Sequence, residues 1–362
     1  MTRQTEAAER WVTEDLEDVH STVEHAPALV RNNQEMVRAA QGVIQRYQAE
    51  VRDPNASLTV RQIFYQLIEV IGLKNTKASY EKVSDVLTAA RLEGLIPWGH
   101  ITDRSRAMLA VSMWENLADF ARSAAVSYRG DVWATQEQQV LCWVEKDARA
   151  AWVRQIVAPY GVTVVPGRGA TSWGLIREVA QALGDGYSWS VLYLGDFDPS
   201  GLIIGEHNRK GLAALGCRPE WRVLAVRHED MPDIPPAAWQ EPKGEHWDER
   251  QGRIVKGDPN TPKFLNKYGV EQKCAEVDSM PPILLRARIL DAVQQRMDLP
   301  AWRRRMRLDS AEKEAVRQTL APLARDQEKR RAMEADARAY QLAYANREDL
   351  EEAERTRLAD YE

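Results

Sequence analysis

Three acidic side chains, Glu145, Asp196 and Asp198, lie just after two short apolar runs that have the character of buried β-strands, at 140–144 and 191–194. Acids at the carboxyl ends of neighbouring parallel strands converge on the crevice where such sheets bind ligands. Three carboxylates held together repel one another unless a cation lies between them, and Mg²⁺ prefers such oxygen ligands, with water and phosphate completing its shell. The sequence therefore predicts a magnesium site.

Asp198 also has a structural interpretation, because Asp-Pro-Ser-Gly is a common turn and helix-capping sequence. A single D-x-D pair is more often structural than catalytic. The combination of Glu145 after one strand with DFDPSG after another is much more specific, so we keep all three acids as predicted metal ligands.

A second candidate for chemistry is Tyr65, in the stretch LTVRQIFYQLIEVI at 58–71. Apolar residues recur there with the spacing of a helix that buries one face, namely Val60, Ile63, Phe64, Leu67, Ile68 and Ile71. Tyr65 lies roughly 120° from the centre of that stripe, and Arg61 precedes it by one turn. A tyrosine that only fills a core should lie on the stripe, so this position predicts an accessible side chain.

The elements that must position these residues divide the chain into helical and α/β parts. Apolar runs alternate with helical patterns over 137–230, which predicts βαβ units and a mostly parallel sheet. The predicted segments are a helical extension (1–54), a small helical module (55–130), an α/β domain (137–300) with a Pro- and Gly-rich insertion (231–262), and a charged helical tail (301–362).

The small module has the element order of a winged helix. Ser57 or Thr59 caps a first helix, a second helix runs over 79–92 to Gly94, and LIPWGHITD follows as an extended wing. Its cations Lys74, Lys77, Lys82 and Arg91 are then available to DNA phosphates. The alternative is a helical hairpin with solvated lysines.

Composition limits the other possibilities. The chain has 362 residues and a net charge of −5, so DNA binding would need a local basic surface. No apolar run approaches the ~20 residues of a membrane span, and the first residues lack a secretory signal pattern. The three cysteines form no zinc or disulfide spacing. We expect a cytoplasmic protein, associated with the nucleoid through DNA.

The motifs VEKDA, GRGATS and GDFDPSG, taken in this order, resemble a toprim domain, the metal-binding fold of topoisomerases, bacterial primases and several nucleases. TVRQIFY resembles the catalytic helix of the type IIB topoisomerase A subunit (topoisomerase VI) and of its meiotic double-strand-break relatives. AEVDSMPPILLRARILDAV at 275–293 is similar to the element that follows toprim in that family. The resemblance covers roughly 55–295 and implies a CAP-like winged helix followed by toprim.

The resemblance implies roles for individual residues. Tyr65 would be the nucleophile and Arg61 its partner on the phosphate side, while Glu145, Asp196 and Asp198 would hold Mg²⁺. Lys146 and Arg168 would contact DNA. Because a phenol has a pKa near 10, attack at neutral pH needs a nearby cation or a metal-bound base. In the family, the tyrosine of one subunit meets the metal site of the other, which implies a homodimer.

Two departures from the family pattern affect what is carried over. The loop after the second strand reads Gly-Arg-Gly-Ala-Thr-Ser at 167–172, where the family usually has G-K-G-Y-P-D, so DNA contacts there lose a bulky part. The chain also contains no GxxxxGK[ST] motif. A topoisomerase cycle would therefore need a separate ATPase subunit of the B type.

Three functions follow as hypotheses. The first is a Mg²⁺-dependent transesterase that cuts duplex DNA through a 5′-phosphotyrosyl link. The second is a hydrolytic toprim nuclease of plasmid or phage defence, similar to the nuclease subunit of Wadjet-type systems, in which Tyr65 only contacts DNA. The third is a DNA-binding subunit without catalysis, which the complete set of three acids argues against.

Overall fold

The computed structural model describes residues 25–102, 113–114, 117–167, 171–184, 187–248, 253–325, 335 and 338. They belong to two compact units, one formed by 1–107 with 136–299 and the other by 108–135 with 300–362. The helix that carries Tyr65 and the sheet that carries the acids therefore share one unit. These units differ from the sequence-derived segments, because packing joins parts that are distant along the chain.

The described chain is a mixed α/β protein. Its α-helices are α1 (Gln34–Val51), α2 (Val60–Ile71), α3 (Lys77–Leu92), α4 (Leu117–Ser127), α5 (Asp147–Val157), α6 (Trp173–Leu183), α7 (Pro199–Ala214), α8 (Thr261–Tyr268), α9 (Pro282–Gln294) and α10 (Leu299–Arg325). Its strands are β1 (Gln138–Val144), β2 (Thr163–Pro166), β3 (Ser188–Leu194), β4 (Glu220–Ala225), β5 (His246–Asp248) and β6 (Arg253–Val255).

Helix α2 begins with a capping box that the sequence encodes locally. Of the two predicted caps, Thr59 is the one used: its side chain accepts from the Gln62 backbone N–H at 3.1 Å, and the Gln62 side chain accepts from the Thr59 N–H at 2.8 Å. The helix ends at Gly72, whose φ of 67° is the left-handed conformation that glycine adopts without steric cost. Helices α1, α2 and α3 pack on one another.

The prediction of an extended wing after α3 is wrong for the central residues of that segment. The chain forms a 3₁₀ turn at Trp98–His100, closed by the His100 N–H donating to the Pro97 carbonyl at 3.0 Å. One isolated parallel bridge then joins Ile101 to Leu58. Pro97 has no backbone N–H to donate to a neighbouring strand, which disfavours an extended wing at this point.

The predicted parallel sheet is confirmed. Strands β1 to β4 form a four-stranded sheet in the order β2-β1-β3-β4, and each neighbouring pair is parallel. Moving from β1 to β2 extends the sheet in one direction, and moving from β3 to β4 extends it in the other. The connectivity therefore reverses between β1 and β3, which makes their carboxyl ends the topological switch point of the sheet.

Both faces of the sheet are covered by helices, so the carboxyl-terminal parts of its central strands, VLCWV in β1 and VLYL in β3, are apolar without alternation. One face forms a core with α6 and α7 that contains Trp143, Tyr193, Ile176 and Leu212. On the rest of the unit, α5 packs against β1 and β2, and α9 packs against α5, α1 and β4.

The segment predicted as an insertion at 231–262 contains short elements of its own. A 3₁₀ turn at Pro236–Ala238 is followed by an antiparallel pair of strands, β5 and β6, and then by α8. The chain returns beside the acids through two isolated antiparallel bridges, Gln240 with Cys274 and Phe197 with Ala275. These bridges determine which side chains face the end of the sheet.

The second unit is described through α4, the residues after it and α10. Asp309 on α10 accepts from the Gly130 N–H at 2.6 Å. Glu312 accepts from the Tyr128 hydroxyl at 2.9 Å and pairs with Arg305 at 2.9 Å. The predicted helical tail is thus helical to Arg325, with acids and bases paired along it, and apart from 335 and 338 its later part lies outside the described residues. Among the helices described in the chain, none is long and apolar enough to cross a membrane.

Candidate active site

The site is built where β1 and β3 end side by side. Glu145 follows β1 and Asp196 follows β3, and the Glu145 carboxylate accepts from the Asp196 backbone N–H at 3.2 Å and from the Tyr193 hydroxyl at 3.2 Å. Both acids are nearly buried, at 8% and 7% exposure. The structure thus brings together two of the three predicted ligands, at the switch point of the sheet.

The electrostatics of this pair are unfavourable for two ionised carboxylates. Burial, and next the neighbouring Asp196, raise the pKa of Glu145 to about 7. Burial and the carboxylate of Glu276 raise the pKa of Asp196 to about 6, even though Lys146 contacts it. Each acid therefore costs free energy when ionised, which a bound cation would reduce.

The third predicted ligand, Asp198, is used as a helix cap. Its Oδ1 accepts from the Gly201 N–H at 2.6 Å, at the N-terminus of α7. Pro199 occupies the first helical position, as is common after a capping aspartate. The structural interpretation of Asp-Pro-Ser-Gly is therefore realised, and any role in metal binding must be compatible with this capping hydrogen bond.

Lys146, predicted to contact DNA, lies between carboxylates. Its Nζ is 2.6 Å from Asp196 Oδ2 and 3.2 Å from Glu276 Oε2. Burial alone would lower the pKa of this ammonium, but the two acids reverse the effect and raise it. Lys146 is thus a fixed positive charge at the carboxyl end of the sheet where Glu145 and Asp196 lie, which we call the acidic edge.

Glu276 joins the edge of the sheet to the helix that carries Tyr65. It pairs with Lys146 and, on α2, with Arg61. Burial by itself would raise the pKa of Glu276, but Lys146 and Arg61 together lower it to about 2. Two residues further on, Asp278 pairs with the fully buried Arg149 of α5. The strip 276–278 therefore holds α2 and α5 together through compensated charges.

The prediction that Tyr65 is accessible is wrong. The side chain is only 4% exposed, and its hydroxyl accepts a hydrogen bond from Gln240 Nε2 at 3.1 Å. Helix α2 packs against α1 and α3 and also against the 3₁₀ turns at Pro236–Ala238 and Val277–Ser279, so residues away from the main apolar stripe are covered too. Burial, and next the charge of Glu276, raise the pKa of the phenol above its usual value.

The arginine predicted to accompany Tyr65 faces the same network. Arg61 pairs with Glu276, and its guanidinium lies 4.9 Å from the centre of the Tyr80 ring. About a third of the side chain remains exposed, at 36%. Arg61 is thus anchored on one side and open to solvent on the other.

The cations predicted to bind DNA have different environments. Lys74 and Lys82 are exposed, and Lys77 is exposed beside Glu81 at 3.3 Å. Arg91 is buried, at 6% exposure, with its guanidinium 4.6 Å from the centre of the Trp98 ring, so the prediction of a phosphate contact is wrong for this residue. Stacking on an aromatic ring in the last turn of α3 explains its burial. Arg168 lies outside the described residues.

Sequence reasoning did not assign the residues that connect the site. Glu276 and Asp278 lie in the element at 275–293, and Gln240 lies in the predicted insertion at 231–262. For the two acids, the signal that could have identified them is the alternation in Ala-Glu-Val-Asp, where each acid follows a buried apolar residue, Ala275 or Val277. Their partners on α2 and α5, however, are more than 100 positions away: Gln240 contacts Tyr65, Glu276 contacts Arg61, and Asp278 contacts Arg149.

The donor set fits Mg²⁺ as a site with two carboxylates. In the described ranges, no group of three or more His, Cys, Asp or Glu side chains could hold a metal ion. Mg²⁺ commonly takes one or two carboxylates together with water and substrate phosphate. Gly195 makes room for this arrangement, since a Cβ there would lie 2.6 Å from Glu145 Oε2 and 2.7 Å from the Tyr193 hydroxyl.

Comparisons of the chain with protein-family models, with curated proteins and with solved structures find no match. The case for a function therefore depends on the residues and on their geometry.

Proposed function

We propose that the chain is a Mg²⁺-dependent DNA nuclease that hydrolyses phosphodiester bonds at the acidic edge of the sheet. The observation that supports this most is the pair Glu145 and Asp196, side by side at the switch point, with pKa values raised to about 7 and about 6. Two buried carboxylates without full charge compensation destabilise the fold when they are ionised. Such a cost is typically found at functional sites.

The residues of the chain would have distinct roles. Glu145 and Asp196 would hold Mg²⁺, which when bound neutralises phosphate charge and lowers the pKa of water. Lys146, between Asp196 and Glu276, would be the cation nearest to a bound phosphate. In the reaction a water oxygen bonds to phosphorus, the bond from phosphorus to one ester oxygen breaks, and a proton ends on the leaving oxygen.

The transesterase remains a second candidate, because one observation favours it. Gln240 donates to the Tyr65 hydroxyl, and the same amide lies 3.5 Å from Glu276, which contacts Lys146. The tyrosine is therefore connected to the acidic edge through polar side chains. Against this role, its hydroxyl is buried and its pKa is raised, so attack on DNA would require α2 to lose part of its cover.

Duplex DNA is the proposed substrate in both cases. Cutting both strands would need two sites, so we retain the homodimer as part of the proposal, and a separate ATPase subunit only for the transesterase. The exposed lysines Lys74, Lys77 and Lys82 would be the contacts of α3 and the preceding turn with the DNA backbone.

The test uses supercoiled plasmid, Mg²⁺ and four proteins: wild type, Asp196→Asn, Tyr65→Phe and Asp85→Asn. Reactions are stopped with detergent and separated on gels with and without protease. We expect wild type and Tyr65→Phe to produce free DNA ends, and we expect the cleavage rate of Asp196→Asn to be lower by about 10³-fold. Asp85 is an exposed acid on α3, so its variant controls for removal of one carboxylate.

The other outcomes discriminate among the hypotheses. DNA that stays attached to protein until protease is added, and only when Tyr65 is present, would establish the transesterase. Absence of any Mg²⁺-dependent cutting by the wild type would exclude both enzymes and leave the DNA-binding subunit.

A further inference from the structure

A cavity of about 750 Å³ opens beside the acidic edge, within the first unit. It lies between α7, the residues that follow β4, and α8, and its lining is half apolar or aromatic and half polar or charged. The volume is in the range of sites that bind small organic molecules. We call it the aromatic pocket, defined by Phe197, His228, Phe264 and Tyr268 together with Lys263 and Lys267.

The aromatic side chains of the pocket form one cluster. Phe197, Phe264 and Tyr268 have ring centres 5.0 to 5.2 Å apart. The ring of His228 is stacked on that of Tyr268, with centres 5.3 Å apart and an angle of 22° between the planes. Phe197 and Phe264 are buried, whereas His228 is exposed and Tyr268 is half-buried. The cluster therefore offers flat rings to the cavity, supported by a rigid base.

The charges around the pocket favour an anion. Lys210 pairs with Glu206 at 3.3 Å, and Arg227 pairs with Glu229 at 3.0 Å, so these four groups largely compensate one another. Lys263 and Lys267 stand one turn apart on α8, are exposed, and have no carboxylate partner in the described part of the chain. Lys267 Nζ lies 4.9 Å from the centre of the Tyr268 ring. Two uncompensated cations thus border the stacked rings.

The pocket and the acidic edge are formed in part by the same chain segment. Phe197, in its lining, is the residue between Asp196 and Asp198, and Pro199, also in the lining, begins α7. Flat rings and adjacent cations are the features that proteins use to hold single-stranded nucleic acid, with bases on aromatic rings and phosphates on basic groups. A base in a duplex has its faces covered by its neighbours and could not stack on His228 or Tyr268.

We propose that the aromatic pocket binds an unpaired nucleotide of a single DNA strand, whose backbone continues past Lys263 and Lys267 toward Glu145 and Asp196. This inference rests on the proposed nuclease function, because the strand is led toward Glu145 and Asp196 only if those acids are the site of cleavage. The nuclease would then act on duplex DNA where a strand is locally unpaired, as it is in the transiently melted stretches of a supercoiled plasmid.

The experiment measures binding of a fluorescein-labelled ten-residue oligothymidylate by anisotropy, in EDTA, so that the result does not depend on cleavage. We expect His228→Ala and Tyr268→Ala each to weaken binding about tenfold, because a stacking platform is lost. Lys263→Gln and Lys267→Gln should weaken it less and each reduce the slope of log K against log salt by about 0.7, since one phosphate contact disappears. The aromatic variants should leave that slope unchanged.

Matched controls come from the opposite end of the strands. Tyr187 precedes β3 and is 57% exposed, and Arg218 precedes β4 and is exposed, so Tyr187→Ala and Arg218→Gln remove the same kinds of group far from the pocket. Both should bind like the wild type. Because Tyr268 supports the cluster, thermal unfolding checks the fold of its variant, and His228→Ala, at an exposed ring, tests the proposal independently.

Failure of the pocket and failure of the nuclease are distinguishable. If the wild type does not bind the oligonucleotide, or if His228→Ala and both lysine variants bind it as the wild type does, the pocket proposal is overturned, whatever the plasmid assay shows. If thymidine monophosphate at equal concentration displaces the oligonucleotide, the cavity is a mononucleotide site and the strand proposal is wrong. Loss of binding in the pocket variants, without displacement, supports it.

Discussion

Two pairs of acids lie within the same unit but differ in how far their negative charge is compensated by neighbouring cations. Glu276 and Asp278 are paired with Arg61, Lys146 and Arg149, and the pKa of Glu276 is lowered to about 2. Asp196 pairs with Lys146, which Glu276 also contacts, and the pKa values of Glu145 and Asp196 are raised to about 7 and about 6. The first pair stabilises the packing of α2 and α5, and the second is left needing a positive charge.

The difference identifies which acids to test for function. A compensated buried acid is expected in a structural network, and its removal should leave buried cations without partners. An incompletely compensated pair at the end of two parallel strands is expected where a ligand brings the missing charge. Four experiments would break or sharpen this comparison.

The largest effect on stability is expected for Glu276→Gln. Removing this charge leaves Arg61 and Lys146 facing each other, and should lower the free energy of unfolding by about 3 kcal/mol, at the low end for a broken buried pair because Arg61 is partly exposed. Urea denaturation measures it, with the exposed Glu271→Gln as the control. A loss below that of the control variant would show that the strip is not a structural support.

Glu145→Gln should raise the free energy of unfolding rather than lower it, by an amount that depends on pH. With a folded-state pKa of about 7 against the ordinary 4.5, the folded protein binds more protons than the unfolded chain between these values. Stability from this group is therefore present below pH 4.5 and is lost as pH rises through 7. Relative to wild type, the variant should gain about 2 kcal/mol between pH 5 and pH 8 in EDTA. A constant difference across that range would contradict the strained pair.

Mg²⁺ should stabilise the wild type. At ten times the dissociation constant, binding to the folded state alone adds about 1.4 kcal/mol to the free energy of unfolding. With increasing Mg²⁺, the midpoint temperature of thermal unfolding should rise for wild type and stay constant for Asp196→Asn. An equal rise in both proteins would mean that the ion binds elsewhere.

The smallest effect is expected for Tyr65→Phe. The substitution removes the hydroxyl that accepts from Gln240 and keeps the buried ring, so stability should fall by only about 0.5 kcal/mol. Chemical denaturation measures this against wild type. A gain in stability would indicate that the hydroxyl is strained in its buried position, and would strengthen the case for a chemical role.

Local sequence determined much of the architecture. Apolar runs ending in acids were sufficient to predict β1 and β3 and the parallel sheet, because strands covered on both faces require continuous apolar residues. Thr59 with Gln62, and Gly72 and Gly94 with left-handed backbones, set helix ends through contacts within a few residues. The convergence of Glu145 and Asp196 also followed, since parallel strands end at a common edge.

Only the tertiary structure decided which side chains are reachable and which charges are compensated. Tyr65 looked exposed on an isolated helix but is covered by segments more than 150 residues away, such as that of Gln240, and Arg91 is buried against Trp98. Glu276 reaches Lys146 and Arg61 because two isolated bridges return the chain to the sheet. Helical periodicity records one face of a helix at a time, whereas burial and pKa depend on every element that packs around a group, and those partners are set by the fold as a whole.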